Sequence, residues 1–210
     1  MFKHASFLDV SDGLQPGQFT VGHRTELSSL DELPDIYREL LDGPVTAVLA
    51  VIGRDGRPSL TPVWFGYDGD RVLLNFADHR KKTSWMRENP QVTMMLMNPA
   101  NPYHWLSIKA TVVNEIHEDD PDGHRATMTI DHAWTKYTGN EAPYGLRDPS
   151  RDERRVLFEC VVDSVATSIR QIVPVYTSPT SMWRPSFSMT TPLAPPGKSG
   201  GLWVYPFSTN

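Results

Sequence analysis

Residues 45–77 decide the fold: VTAVLAVI (45–52), GRDGR (53–57), PSLTPVWFGY (58–67), DGD (68–70) and RVLLNFA (71–77). The first segment is apolar throughout except for Thr46. In the last, Val72, Leu74 and Phe76 alternate with Leu73 and Asn75. Short apolar or alternating runs separated by Gly- and Asp-rich turns are the pattern of consecutive strands, so three strands in a meander are predicted. Pro58 and Pro62 have no backbone N–H to donate, which leaves the middle strand open to irregularity.

Downstream, RKKTSWMREN (80–89) has no strand alternation and good helix formers, and Asn89-Pro90 ends it before the strand QVTMMLMN (91–98). Trp105 to His117 predicts a long half-buried strand, with Ile108, Ala110, Val112 and Ile116 on one face and Lys109, Thr111 and Glu115 on the other. Asp120-Pro121 predicts a helix N-terminus. Ala126, Ile130, Ala133, Trp134 and Tyr137 then share one helical face, and Gly139 stands where a terminal glycine belongs. Val156, Phe158, Cys160 and Val162 alternate with Glu159 and Asp163 in a sixth strand.

Upstream, Leu33, Ile36, Tyr37, Leu40 and Leu41 predict a helix over 31–42, stopped by Gly43-Pro44. Residues 1–30 carry Gly13, Pro16, Gly17 and Gly22 and are expected to form an irregular N-terminal arm. Residues 171–210 are rich in Pro but hold Tyr176, Trp183, Phe187, Trp203, Tyr205 and Phe207, which flexible linkers generally lack, so this C-terminal extension is expected to dock. The main domain is therefore placed at 31–170. Six strands and about three helices without regular βαβ alternation predict a mainly β (α+β) fold, a six-stranded antiparallel barrel with inserted helices.

The 210-residue chain has 20 Lys plus Arg against 25 Asp plus Glu, a formal net charge of -5. That balance opposes binding to a phosphate backbone, and no nucleic-acid partner is expected. The longest apolar run, Ala47 to Ile52, is far too short to span a bilayer, so no membrane partner is expected either. The lone Cys160 can form neither an intrachain disulfide nor a multi-thiolate zinc site, and the expected compartment is the cytoplasm.

Several motifs fail. His117-Glu118 lacks the second His of a zinc-protease helix, and Glu118, Asp119, Asp120, Asp122 and His124 read as an acidic helix start, so no metal site is expected. Gly197-Lys198-Ser199 has Pro192 where a phosphate loop requires its first Gly. No Gly-x-Ser-x-Gly elbow is present and Cys160 lies mid-strand, which leaves covalent catalysis without a nucleophile. One feature resists a purely structural reading. Arg80, Lys81 and Lys82 place three positive charges at a predicted helix start, where the helix dipole already favours an anion; a bound phosphate would turn this repulsion into attraction.

The order PVWFGYDGDRVLLNFA, HRKKTSWMRENPQVTMML, a long strand, a helix ending in AWTKYTG, and RDERRVLFECVVDSVATSI resembles the split-barrel superfamily of pyridoxamine 5'-phosphate oxidases and flavin or deazaflavin dependent oxidoreductases. The resemblance implies a split barrel of the FMN-binding type and a cofactor that is either FMN or the deazaflavin coenzyme F-420. It also implies that Arg80, Lys81 and Lys82 hold the cofactor phosphate and that Thr61, Pro62, Val63 and Trp64 lie along the ring system. Asn75, Phe76 and Ala77 complete the expected cofactor set, and Tyr103, Trp105, Trp134 and Tyr137 are expected to border a small-molecule substrate. A homodimer with sites at the subunit interface follows from the same resemblance. Ala110 stands where such proteins often have Gly, and the last strand lacks an Arg-rich ending, so vitamin B6 oxidation is not expected. The cofactor carries the hydride itself, and no catalytic acid or base need be visible. Three alternatives stay open: a non-catalytic cofactor carrier, a structural scaffold with the basic cluster merely solvated, and haem handling, for which His79, His104 and His132 show no ligand spacing.

Overall fold

The computed structural model describes residues 1–8, 21–148 and 150–169. Nine strands are present among them: β1 (Phe2–Leu8), β2 (Val21–Leu27), β3 (Ala47–Ile52), β4 (Pro58–Val63), β5 (Gly66–Asp68), β6 (Arg71–Ala77), β7 (Gln91–Asn98), β8 (Asn101–His117) and β9 (Arg155–Ile169). Three helices interrupt them, α1 (Asp35–Asp42), α2 (Lys81–Glu88) and α3 (His124–Thr138). The expected extension at 171–210 lies outside the described residues.

β9 organises the sheet. Along one edge it pairs with β8; the other edge is shared, with β6 opposite residues 155–161 and β1 opposite residues 164–169. Between these two partners the Val162 N–H donates to the Asp70 carbonyl at 2.9 Å. The main path runs β2-β1-β9-β8-β7-β3-β4, with β5 on β6, and the sheet does not close. This is the split barrel the sequence predicts. Leu49, Val51, Leu74, Met94, Leu96, Leu106, Ile108 and Phe158 fill its core from alternate positions of their strands.

Several boundaries differ from the sequence expectation. The N-terminal arm contains two strands, β1 and β2, and β1 runs parallel to β9. That pairing spans most of the chain, so no local pattern announces it. The 31–42 segment is a 3-10 turn (Leu30–Glu32) followed by α1, because Pro34 holds Leu33 at ψ 145°, outside the helical region. Ile36 is consequently 43% exposed instead of core. PSLTPVWFGY is two strands, β4 and β5, broken at Trp64-Phe65. β4 pairs only with β3 among the described residues, the edge position its prolines require.

Asp120 does not cap α3. Its carboxylate accepts from the His117 N–H at 2.7 Å, and α3 begins after Gly123, where a Cβ would stand 2.1 Å from the Glu118 carbonyl oxygen. Gly139 ends α3 at φ 73°, the left-handed terminus expected of it. Glu159, placed by alternation on the polar face of β9, is buried. It accepts from Arg71 at 3.0 Å and Asn114 at 2.9 Å and also meets Arg125.

Candidate functional site

β4 and β6 form no ladder with each other among the described residues, and a cleft of about 410 Å³ opens between them. β4 supplies Thr61, Pro62 and Val63, with Trp64 at the strand break; the end of β6 supplies Asn75, Phe76 and Ala77. Arg80 and Lys82 close one end, and Ile130 of α3, Tyr144 and Arg155 complete the lining.

The basic end is built by the turn that follows β6. The buried Thr83 hydroxyl meets the carbonyls of Asp78 and Arg80 at 2.7 and 2.6 Å, which fixes the turn against α2. Arg80 stands extended just before the helix, and no side chain caps the α2 N-terminus. Lys82 Nζ donates to Thr61 Oγ1 at 2.8 Å and lies 4.7 Å from the centre of the Phe76 ring. Burial, and after it the Arg80 charge, lower the Lys82 pKa. Arg71, Arg87, Arg125, Arg147 and Arg155 all meet carboxylates, whereas among the described residues none pairs with Arg80, Lys81 or Lys82.

Lys81 does not join its neighbours in the cleft. It faces a separate cavity of about 650 Å³ together with Arg54, Arg57, Ser84 and Trp85. Successive helical residues are rotated by about 100° around the axis, so Lys81 and Lys82 diverge.

The cleft floor joins Asn75, expected from the sequence, to Arg155, which the sequence reading missed. Arg155 Nε donates to Asn75 Oδ1 at 2.8 Å, Arg155 Nη1 donates to Glu153 at 2.9 Å, and Asn75 Nδ2 donates to the Ala126 carbonyl at 2.7 Å. No buried side-chain N or O among the described residues lacks a partner, so this floor is fully satisfied and rigid. Tyr144 lies 5.1 Å from the Arg155 guanidinium. An arginine at the entry to the apolar run RVLFEC was a usable signal for Arg155; a tyrosine in a loop carried none.

Of the four expected substrate aromatics, two stand behind the cleft. Tyr137 stacks on Trp64 with ring centres 5.2 Å apart and planes 4° from parallel, and Trp134 is 6.3 Å from Trp64. The other two, Tyr103 and Trp105, lie at the start of β8, where Trp105 contacts Phe7 at 6.0 Å, and they do not border this cleft. His104 is buried with Nε2 at 2.7 Å from the Ile36 carbonyl and Nδ1 at 3.1 Å from Asn98, which occupies both ring nitrogens. Burial pushes the Cys160 thiol up to about 12, far from a reactive thiolate. In the acidic segment, Glu118 pairs with Arg147 and Asp119 with Arg154. Asp78, Glu115 and His117 come within metal-binding reach of one another, but the Arg87 guanidinium already bridges the two carboxylates.

The pyridoxamine 5'-phosphate oxidase family matches residues 33–168. The chain belongs to this family. All the cleft residues lie within the matched span of this pyridoxamine 5'-phosphate oxidase family member, whereas β1 and β2 lie outside it. Among curated proteins, the uncharacterized protein RA0666 of Rhizobium meliloti (strain 1021) is 29% identical over 82 residues, 39% of this chain and 52% of the relative. The chain thus spans about half the length of the curated relative it matches. Among solved structures, an F420 reductase is similar at 25% identity and a TM-score of 0.51, over 63% of this chain and 98% of that one. A conserved hypothetical protein from Mycobacterium tuberculosis shares 19% identity at a TM-score of 0.48, over 71% of this chain and 96% of that one. No helix among the described residues is long and apolar enough to cross a membrane.

Proposed function

We propose that this protein is an oxidoreductase that binds FMN or the deazaflavin coenzyme F-420 in the cleft between β4 and β6 and passes a hydride to or from a small organic substrate. The observation that carries the reading is the pair Arg80 and Lys82: cations without carboxylate partners at an uncapped helix N-terminus, in a protein that pairs so many of its other arginines. Such an arrangement suits a phosphate, whose oxygens accept from cationic side chains and free helix N–H groups together. Pro62, Val63 and Trp64 offer an apolar wall for a ring system. The likeness to an F420 reductase favours the deazaflavin.

The bound cofactor would supply hydride transfer, so this chain need only bind, orient and exclude water. Arg80 and Lys82 hold the anionic end, and the Lys82–Thr61 contact sets its distance from the β4 wall. The Asn75–Arg155 floor ties β6, β9 and α3 together beneath the cleft.

A homodimer completes the proposal. Val48, Leu60, Met95, Met97 and Tyr103 are all exposed. Val48 pairs with Pro62 and Met95, and Met97 pairs with Trp105, so the registers place these side chains on one face of β4, β3, β7 and β8. A contiguous apolar face of this kind needs cover.

The test is the mass and visible spectrum of the chromophore released from protein purified from a host that makes both cofactors. Recovery of FMN or the deazaflavin, bleached by a reductant and restored by an acceptor, supports the reading. Failure to bind either one contradicts it; inert stoichiometric binding would make the protein a carrier.

A further inference from the structure

The cleft does not end at Trp64. A second cavity of about 340 Å³, lined by Thr46, Pro62, Val63, Trp64, Tyr144 and Leu146, adjoins the first and shares four of its residues. The two halves differ in charge. The first carries Arg80, Lys82 and Arg155, while among the described residues no ionisable acid or base other than the Tyr144 phenol borders the second.

The outer wall of this apolar half is a loop fixed at several points. Trp134 Nε1 donates to the Glu141 carbonyl at 3.0 Å, the Tyr144 N–H donates to Asp131 Oδ1 at 2.8 Å, and Arg147 donates to Glu118 at 2.7 Å. The Tyr144 ring meets Trp134 edge-on at 5.8 Å, and a Cβ at Gly145 would come within 3.2 Å of Trp134. Such anchoring holds Leu146 at the rim although it is 60% exposed.

We infer that this apolar half is the substrate subsite of the cleft and takes a flat, uncharged, ring-bearing molecule, with Tyr144 and Leu146 setting its selectivity. The inference rests on the cofactor-binding reading of the basic half. Its volume is at the small end of ligand cavities, roughly 300–1,000 Å³, which suits a one- or two-ring compound. The Trp64 face, braced from behind by Tyr137, offers a stacking surface. A carboxylate or sulfonate placed here would lose its water without gaining a cation, whereas a neutral ring loses little. Pro62 and Val63 border both cavities, so a ring against Trp64 is within reach of a ring system held in the basic half.

The experiment uses the full-length protein, with 2-naphthol as neutral probe and 2-naphthalenesulfonate as its anionic counterpart, each titrated by ligand-observed saturation-transfer NMR in excess inorganic phosphate to occupy the basic end. Wild type should bind the neutral probe more tightly than the anionic one. Leu146→Asp should weaken 2-naphthol by about tenfold or more and leave FMN or deazaflavin affinity within about twofold, while Leu146→Met keeps both. Lys82→Ala should show the opposite split. Absence of 2-naphthol binding, preference for the sulfonate, or indifference to Leu146→Asp would overturn the inference. So would a change of oligomeric state in Leu146→Asp, which would make the cavity a contact between copies. Failure of FMN and the deazaflavin to bind would remove the cofactor reading, while the naphthol result would still decide the apolar subsite.

Discussion

Lys82 Nζ, on the first turn of α2, donates to Thr61 Oγ1 on β4 at 2.8 Å. The contact joins the two elements that border the cleft across an edge where β4 has no strand partner among the described residues. It also keeps a half-buried ammonium aimed at the cleft, over the face of Phe76. Removing the hydroxyl with Thr61→Val should weaken cofactor binding by about three- to tenfold, part of the roughly 1.5–3 kcal/mol of one hydrogen bond to a charged group, and lower folding stability by the rest. Fluorescence titration of the cofactor and urea denaturation check the two halves of that statement.

Burial and the neighbouring Arg80 hold the Lys82 pKa below its ordinary 10.5. A lysine whose folded pKa is lowered destabilises the native state while it stays charged, and stability is recovered as pH rises through the lowered value. Lys82→Met should therefore leave the cofactor-free protein equally or more stable at pH 7 in urea denaturation, with the difference shrinking at high pH. Cofactor affinity has the opposite dependence in wild type, falling as pH climbs through the Lys82 pKa. Lys82→Arg should move that fall to higher pH.

Trp64 and Tyr137 stack with planes 4° from parallel. An aromatic pair of this geometry contributes about 0.5–1.5 kcal/mol beyond its buried area. Trp64→Ala should lower stability by at least that amount and weaken cofactor binding, while Trp64→Phe keeps most of both. Urea midpoints and the same titration read the outcome.

Glu159 is 2% exposed at its side chain and lies between Arg71 and Arg125. Burial would raise its pKa, but the Asn114 hydrogen bond and the two guanidinium charges outweigh it and hold the carboxyl below its ordinary value. Its stabilisation is therefore present above the unfolded pKa and lost as pH falls through the folded one. Glu159→Gln should cost about 2–3 kcal/mol at pH 7, less than for a wholly buried pair because both arginines are partly exposed. The gap between variant and wild type should narrow in acid, as read from denaturation curves at several pH values.

Met97, 42% exposed, lies in the apolar face of β4, β3, β7 and β8. Light scattering at micromolar concentration should find wild type a dimer and Met97→Asp a monomer with unchanged circular dichroism. A monomeric wild type would contradict the proposed interface.

What the sequence made legible was local. The meander, α2, Gly139 and the β4 prolines all follow from residues a few positions apart, and most of the cleft lies on them: Thr61 to Trp64, Asn75 to Ala77, Arg80 and Lys82. What it hid depended on distant pairing. Arg155 enters the floor because it faces Ala77 across the β6–β9 ladder, a partnership 78 residues apart in the chain. Glu159 is buried despite its place on the polar side of an alternating strand, because Arg125 at the start of α3 and Arg71 on β6 come to it. The three consecutive cations looked like one cluster in the sequence, and helix geometry turned Lys81 away.

That divergence permits the most direct test of the central claim. FMN and the deazaflavin should each be titrated against wild type, Lys81→Ala and the double variant Arg80→Ala/Lys82→Ala. Loss of two charge-assisted contacts should weaken binding of the cofactor by about a hundredfold or more in the double variant, and Lys81→Ala should stay within about threefold of wild type. Unchanged affinity in the double variant would show that the α2 N-terminus is a solvated helix end and that the cleft between β4 and β6 is not the cofactor site.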